Sequence, residues 1–278
     1  MTEFRPSRFE ILPIIVKNLL IINGLFYLAQ VTFSKGAVPI FSFEDTLALH
    51  AWQSDLFKPW QLITHMFLHG DFYHILGNMF ALWMFGSILE NVWGAKRFLT
   101  FYLICGLGAA FIHLLFLSYE LTPIMKDYAL VLQQQNDPMA FVDAMTSFGR
   151  KYNMGFNEEA LVFLKADPTN NLMTDKVLEA VTTYYNNRIN TATLGASGAV
   201  FGILAAFVYL FPNTYIYLYF LIPVKAKWLG LLYFSYELFF ALQNSAGDNV
   251  ARWAHIGGAI VGLLIVITWN KTNKKTLY

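Results

Sequence analysis

The sequence predicts an all-α protein that crosses a membrane several times. Its 278 residues are 56% hydrophobic and only 13% charged, about half of the charged fraction usual in soluble domains. Five windows contain no Asp, Glu, Lys or Arg: 18–34, 72–89, 98–119, 191–224 and 253–270. Because a helix needs about 20 apolar residues to cross a bilayer core, these windows are typical of membrane spans. The pattern excludes a soluble enzyme, a disordered chain and a disulfide scaffold.

Other features of the sequence limit which partners, disulfides and membrane are expected for this protein. The formal net charge of +1 gives no reason to expect a nucleic-acid partner. The single cysteine, Cys105, lies in an apolar window and has no second cysteine to pair with. The first ten residues mix Arg and Glu, unlike a secretory signal peptide, and no eukaryotic targeting segment is apparent. We therefore expect a multi-pass protein of a bacterial cytoplasmic membrane.

Six membrane helices can be placed along the chain, near 14–33, 72–90, 97–117, 193–211, 227–243 and 253–270. The fourth charge-free window is too long for one crossing, and Pro212 and Asn213 end its helix. The apolar stretch 215–224 then forms either a hairpin or a re-entrant segment. Short Lys and Arg clusters before, between and after the spans predict that both termini are cytoplasmic.

The segment 118–190 differs from the rest of the chain. It is polar and mildly acidic, and it separates the first three spans (1–117) from the last three (191–278). Apolar residues recur at helical spacing around 139–151, 157–166 and 173–188, which favours helices over a loop. A structureless loop of this length is rare in a compact protein. We predict a small helical insertion on the outer side of the membrane.

A few polar side chains lie inside the predicted spans, where they are costly and usually functional. His74 and Asn78 are in the second span, Ser197 begins the fourth, and His255 is close to the outer end of the sixth. With the predicted topology, these groups from three separate spans lie at a similar depth in the outer half of the membrane. This coincidence predicts one shared site.

These residue types suit acyl transfer. A serine hydroxyl needs a base to remove its proton, and a buried neutral histidine is the usual base, which makes Ser197 and His255 the candidate catalytic residues. His74 and Asn78 are spaced i, i+4, so they share a helix face and can donate to one oxyanion. The backbone N–H of Ser197 lies near a helix start, where such groups have no intrahelical partner.

The glycines predict close packing around this site. Gly195 lets the backbone approach the serine closely. Gly258 and Gly262 form a GxxxG motif on the sixth span, which allows the fourth span to pack at short range. Phe201 lies one turn below the serine and can stack on the histidine ring.

Together these motifs resemble those of rhomboid intramembrane serine proteases. The matching motifs are Gly195-Ala-Ser197-Gly, His74-x-x-x-Asn78, Ala254-His255 with Gly258-x-x-x-Gly262, Gly86-x-x-x-Glu90-x-x-x-Gly94 and Trp60-Gln61. The resemblance covers roughly 11–117 and 191–270. It implies a six-helix rhomboid-like bundle that cleaves single-pass membrane proteins without a metal or other cofactor.

The resemblance also implies a role for each matching residue. Ser197 would be the nucleophile, His255 the base, and His74 and Asn78 the oxyanion donors, with Gly195 shaping the oxyanion site. The chain departs from the family in three places. It has Gln61 where an arginine is common and Phe201 where a tyrosine is common, and the insertion 118–190 has no counterpart in the six-helix core.

Two other kinds of function are compatible with six spans. A catalytically silent rhomboid-like protein would bind or escort membrane helices, although such a protein would ordinarily lack the motif serine or histidine. A transporter would ordinarily show internal repeats, and none is convincing here. The fifth span and the loop 244–252 are the expected gate for a substrate helix.

The remaining ionisable residues are interpreted as structural. We treat His50, His65, His69 and His113 in this way, and we expect no metal although Asp71 lies near some of them. Glu237 is an intramembrane acid that we expect to hydrogen-bond to a neighbouring helix. Glu90 is expected to bind free amides at helix ends.

Overall fold

The computed structural model of the chain describes residues 9–34, 42–218, 221–243 and 250–272. The chain divides into two compact units. The first comprises Met1–Leu49, Phe57–Leu114 and Ala192–Tyr278, and the second comprises His50–Leu56 and Leu115–Thr191. Most of the expected gate loop 244–252, and the basic residues nearest both termini, lie outside the described residues.

The described elements are helical except for one short hairpin. In the first half of the chain they are α1 (Ile14–Ser34), α2 (Phe43–Leu47), α3 (Gln61–Thr64) with a 3₁₀ turn (His65–Phe67), α4 (Phe72–Ala81), a π-helical turn (Leu82–Gly86), α5 (Ser87–Trp93) and α6 (Ala95–Gln133). The second half has α7 (Pro138–Lys151), α8 (Glu158–Ala166), α9 (Asn171–Ile189), α10 (Ser197–Leu210), β1 (Tyr215–Leu218), β2 (Ile222–Lys225), α11 (Ala226–Gln243) and α12 (Arg252–Thr272).

The all-α membrane architecture predicted from the sequence is confirmed, and the number of crossings stays a prediction. Four described stretches are long and apolar enough to span a membrane: Ile14–Phe33, Phe72–Trp93, Ala95–Gln133 and Arg252–Lys271. The apolar helix α10 has 14 residues, which at 1.5 Å each is shorter than a bilayer core of about 30 Å. A described helix lies at each of the six predicted positions.

Helix α10 begins at Ser197, slightly later than the predicted start of the fourth span near 193. Thr193 instead exchanges two backbone hydrogen bonds of 2.8 Å with Leu49, as a short β-bridge. Gly195 follows with φ +126°, a conformation that a helix cannot contain. The serine is therefore the first helical residue.

Helix α6 continues as one helix to Gln133, beyond the predicted end of the third span near 117, and the end of the span itself stays a prediction. The prediction stopped where charges begin, but a helix that leaves an apolar environment needs no further apolar residues. Pro123 lies within α6, where it removes one backbone donor.

The helices predicted for the insertion are present as α7, α8 and α9. Each begins at a side-chain cap: Asp137, Asn157 and Asn170 accept hydrogen bonds from backbone N–H groups of the first turn. The second unit has its own core of buried side chains, which includes Leu121, Val142, Met145, Phe148 and Val181.

Helices α10 and α12 pack through their glycines. A methyl group at Gly258 would collide with the backbone carbonyl of Gly198, and one at Gly262 would lie 2.7 Å from the Gly202 Cα. The two backbones are therefore in direct contact, as the GxxxG motif predicted. This seam brings the start of α10 beside the first turn of α12.

Glu90 has the role expected for it. Its carboxylate accepts hydrogen bonds from the backbone N–H groups of Ile15 at 2.9 Å and Val16 at 2.8 Å, so it caps the start of α1. In the predicted hairpin stretch, β1 and β2 pair in antiparallel register, with Tyr215 opposite Lys225.

Candidate active site

Ser197 and His255 form a hydrogen-bonded pair. The Ser197 Oγ lies 2.8 Å from the His255 Nε2, although 58 residues separate them in the chain. The glycine seam between α10 and α12 makes this approach possible. His255 is 9% exposed, so its imidazole is largely shielded from water. Ser197 is half-buried, which leaves its hydroxyl partly accessible to a substrate.

Phe201 holds the imidazole from one face, as predicted. The two rings are stacked, with centroids 4.2 Å apart and an interplanar angle of 9°. On α11, Tyr233 lies against the same phenylalanine at 5.0 Å between ring centroids. The stack restricts rotation of the histidine about its side-chain bonds.

His74 lies beside the pair in a defined tautomer. Its Nδ1 accepts a hydrogen bond from the backbone N–H of Gly70 at 3.3 Å, so the proton of a neutral imidazole belongs on Nε2. That Nε2 lies against Gly195, where an added Cβ would be 2.8 Å away. The Asp71 carboxylate caps the start of α4 by accepting a hydrogen bond from the backbone N–H of His74. This cap fixes the position of the His74 backbone, from which the ring extends.

Asn78 supplies a second donor on the same helix face. The residue is 7% exposed, and its Nδ2 has no hydrogen-bond partner in the described structure. A buried amide without a partner is costly unless something else binds it. Together with the Nε2–H of His74 and the backbone N–H of Ser197, it provides donors for an oxyanion.

The first loop positions Gly195. The backbone N–H of Gly195 donates to the His65 carbonyl at 2.9 Å, and the His65 Nδ1 lies 2.7 Å from the Gln61 carbonyl. The fully buried Gln61 side chain donates to the Asp45 carbonyl at 3.2 Å. Gln61, at the position where the family commonly has an arginine, thus uses its buried amide to bind a carbonyl of the loop.

The other histidines lie around the site rather than in it. His113 Nε2 is 2.9 Å from Thr193 Oγ1, and burial lowers the pKa of His65 in the first loop to about 4, which keeps it neutral. His65, His113 and Ser197 line a cavity of about 10 Å³, near the size of one water. Among the described residues, no three His, Cys, Asp or Glu side chains are arranged to hold a metal.

Glu237 contributes a contact that the sequence did not reveal. Its Oε2 is 3.1 Å from the His255 Nδ1 and 3.3 Å from the Arg252 Nη1. The expected hydrogen bond to a neighbouring helix is present, and one of its partners is the candidate base. An acid inside a span was the available signal, but the rotation of α11 against α12 cannot be read from spacing.

If this site performs the acyl transfer expected from its residues, replacing Gly195 by alanine should reduce the cleavage rate by more than about a hundredfold, the usual cost of losing one oxyanion donor. The new methyl would meet the His74 ring and would need φ +126°, which side chains rarely adopt. Initial rates on a membrane reporter would measure the loss. Gly77→Ala is the control, because nothing lies within 4 Å of its added methyl. Equal rates for the two variants would contradict this account of the oxyanion site.

Known proteins are similar to this chain over most of its length. The model of the Rhomboid domain matches residues 56–124 and 154–271. RHOMBOID-like protein 12, mitochondrial, of Arabidopsis thaliana is 27% identical over 77% of this chain and 46% of its own length. Rhomboid protein 1, mitochondrial, of Saccharomyces cerevisiae is 25% identical over 73% and 40%. Rhomboid protease AarA of Providencia stuartii is 26% identical over 91% and 71%.

These matches carry three consequences. The chain spans less than half the length of the two mitochondrial relatives. Because mitochondrial proteins match over about three quarters of the chain, the expectation of a bacterial cytoplasmic membrane is not supported. The family match includes 118–124 and 154–190 of the insertion and passes over 125–153. With more than half of its residues matched by the family model, this multi-pass membrane chain belongs to the rhomboid family.

Proposed function

We propose that this chain is an intramembrane serine endopeptidase that cleaves single-pass membrane proteins within or beside their membrane helix. The observation that carries the proposal is the hydrogen bond of 2.8 Å between Ser197 Oγ and His255 Nε2. Unpartnered donors beside that pair support it. Two relatives are named rhomboid proteases, one from Providencia stuartii and one from Bacillus subtilis.

Acylation uses the pair as nucleophile and base. His255 Nε2 takes the hydroxyl proton of Ser197 while Oγ attacks the carbonyl carbon of the scissile bond. The carbonyl oxygen becomes an oxyanion, which accepts hydrogen bonds from His74, Asn78 and the backbone N–H of Ser197. His255 then donates its proton to the leaving amine nitrogen as the peptide bond breaks.

Deacylation requires one water molecule. His255 Nε2 removes a proton from this water, the hydroxide adds to the acyl carbon, and the Ser197 oxygen leaves with the proton returned by the imidazole. The small cavity beside His65 and His113 lies next to the serine. Its volume is about the least that one water molecule needs, and the histidine side chains and the serine belong to its polar lining.

The reaction also restricts the substrate. A peptide bond within a helix has its carbonyl engaged in the i→i−4 hydrogen bond, so the substrate must unwind locally before attack. Segments with Gly, Pro or polar residues near the outer end of their span unwind most easily. We expect such substrates to be preferred.

Labelling by a fluorophosphonate tests the proposal. The probe phosphonylates an activated serine oxygen and releases fluoride, so mass spectrometry of the detergent-purified protein should find the adduct on Ser197. His255→Ala should label at least about a hundredfold more slowly, in line with the contribution of a positioned base. A purified single-pass reporter incubated in parallel should be cut.

Two results would overturn the proposal. A protein that retains the reporter without cutting it, and that leaves Ser197 unlabelled, would be a catalytically silent binder of membrane helices. An adduct on a different serine would also overturn the assignment of the nucleophile.

A further inference from the structure

We propose that Glu237 is a positioning residue that fixes the tautomer and orientation of His255, so that three side chains from α10, α11 and α12 act in series. This inference rests on the proposed function for its catalytic consequence. Its structural part, the protonation of a particular ring nitrogen, holds for the molecule whether or not it cleaves anything.

The hydrogen-bond geometry supports this role directly. The two ring nitrogens of His255 face different partners: Nε2 lies 2.8 Å from Ser197 Oγ and Nδ1 lies 3.1 Å from Glu237 Oε2. A carboxylate can only accept, so the Nδ1 must carry the proton. The Nε2 of a neutral ring is then left with its lone pair toward the serine, which is the form that a base requires.

Burial makes the contact strong and selective. Glu237 is 3% exposed and His255 is 9% exposed, so little water competes for the Nδ1–H. Among the described polar contacts of the imidazole, Glu237 provides the only anionic one. The Phe201 ring on one face restrains the ring plane, but a stacked phenylalanine cannot distinguish one nitrogen from the other.

Arg252 explains how the carboxylate is kept in an apolar place. Its Nη1 is 3.3 Å from the same Oε2, and its guanidinium lies 5.0 Å and 5.5 Å from the ring centroids of Phe240 and Tyr236. A buried carboxylate without a cation is expensive. The arginine compensates the charge while the shared oxygen remains an acceptor for the histidine.

A purely structural role would have different consequences. The Glu237–Arg252 pair joins α11 to α12, and a brace of that kind would affect stability without choosing a tautomer. The test therefore needs a readout that belongs to the imidazole alone.

Nitrogen-15 NMR of the ¹⁵N-histidine-labelled, detergent-purified protein provides that readout. The His255 signals are assigned as those missing from His255→Ala. The wild type should show a protonated Nδ1, whereas Glu237→Ala should show both tautomers or the reversed one. Glu237→Gln keeps an oxygen acceptor and should retain most of the wild-type tautomer. Ser235→Ala, an exposed position on the same helix, is the control and should match the wild type.

Kinetics on the single-pass reporter test the catalytic consequence. Glu237→Ala should lower kcat by about 10- to 100-fold, a part of the 10²–10⁴ that a positioned base supplies, with KM changed less than about twofold. Arg252→Gln should lower thermal stability and retain more kcat than Glu237→Ala.

The outcomes separate the two proposals. An unchanged His255 tautomer in Glu237→Ala overturns the positioning role, even if activity falls. Equal losses of kcat in Glu237→Ala and Arg252→Gln, without a tautomer change, identify a brace. If the wild type cuts nothing but its tautomer depends on Glu237, the proposed function fails and the positioning role stands.

Discussion

Replacing Ser197 by alanine should reduce cleavage of a membrane reporter below detection, a loss of about 10⁶ in kcat by comparison with other serine proteases. The reason is that, in the proposed mechanism, Oγ is the atom that forms the acyl bond and its hydrogen bond of 2.8 Å to His255 activates it. The loss would be measured as the amount of cleaved reporter on a gel, first with both proteins in detergent and then with both reconstituted in lipid vesicles.

The fold should survive this change. Removing one hydroxyl from the start of α10 leaves the glycine seam and the Phe201 stack untouched, so the melting temperature should stay within a few degrees of the wild type. Ser235→Ala, on the exposed side of α11, is the matched serine control and should cleave normally. Cleavage by purified Ser197→Ala at the wild-type rate would remove the serine from the mechanism.

Replacing Gly258 by alanine should cause the second large effect, because it separates the two helices that carry the pair. The added methyl would overlap the Gly198 carbonyl, which is backbone and cannot rotate away. Overpacking of this kind costs about 1–3 kcal/mol of folding free energy. Even a shift of about 1 Å between Ser197 and His255 is expected to cost about a hundredfold in rate.

Thermal unfolding and reporter cleavage of the same preparation would check both parts of this expectation. Gly24→Ala is the matched control, because nothing lies within 4 Å of its added methyl and alanine favours a helix more than glycine does. If Gly258→Ala has the same melting temperature and cleavage rate as Gly24→Ala, the close packing of α10 against α12 does not position the catalytic pair.

The sequence predicted the features that depend on composition and depth. The charge-free windows predicted the positions of the membrane helices because a segment that contacts lipid must be apolar. The common depth of four polar side chains predicted one site, made of Ser197, His255, His74 and Asn78. The geometry then adds a tautomer for His74 that follows from a backbone donor, Gly70. No pattern of side chains encodes that contact.

The features that escaped prediction depend on tertiary contacts. The start of α10 is set by the pairing of Thr193 with Leu49, which are distant in the chain. The contact of Glu237 with His255 depends on how two helices are rotated against each other, and a helix that is apolar on all sides gives no periodic signal for its orientation.

The glycine seam also has a consequence for the order in which the protein is made. His74 and Asn78 are synthesised first, Ser197 more than a hundred residues later, and His255 only with α12, the last helix described. A nascent chain that lacks α12 therefore has a nucleophile with no base. Under the proposed function, the catalytic pair exists only once α12 has docked against α10, so we expect cleavage activity to arise only after this helix has been inserted.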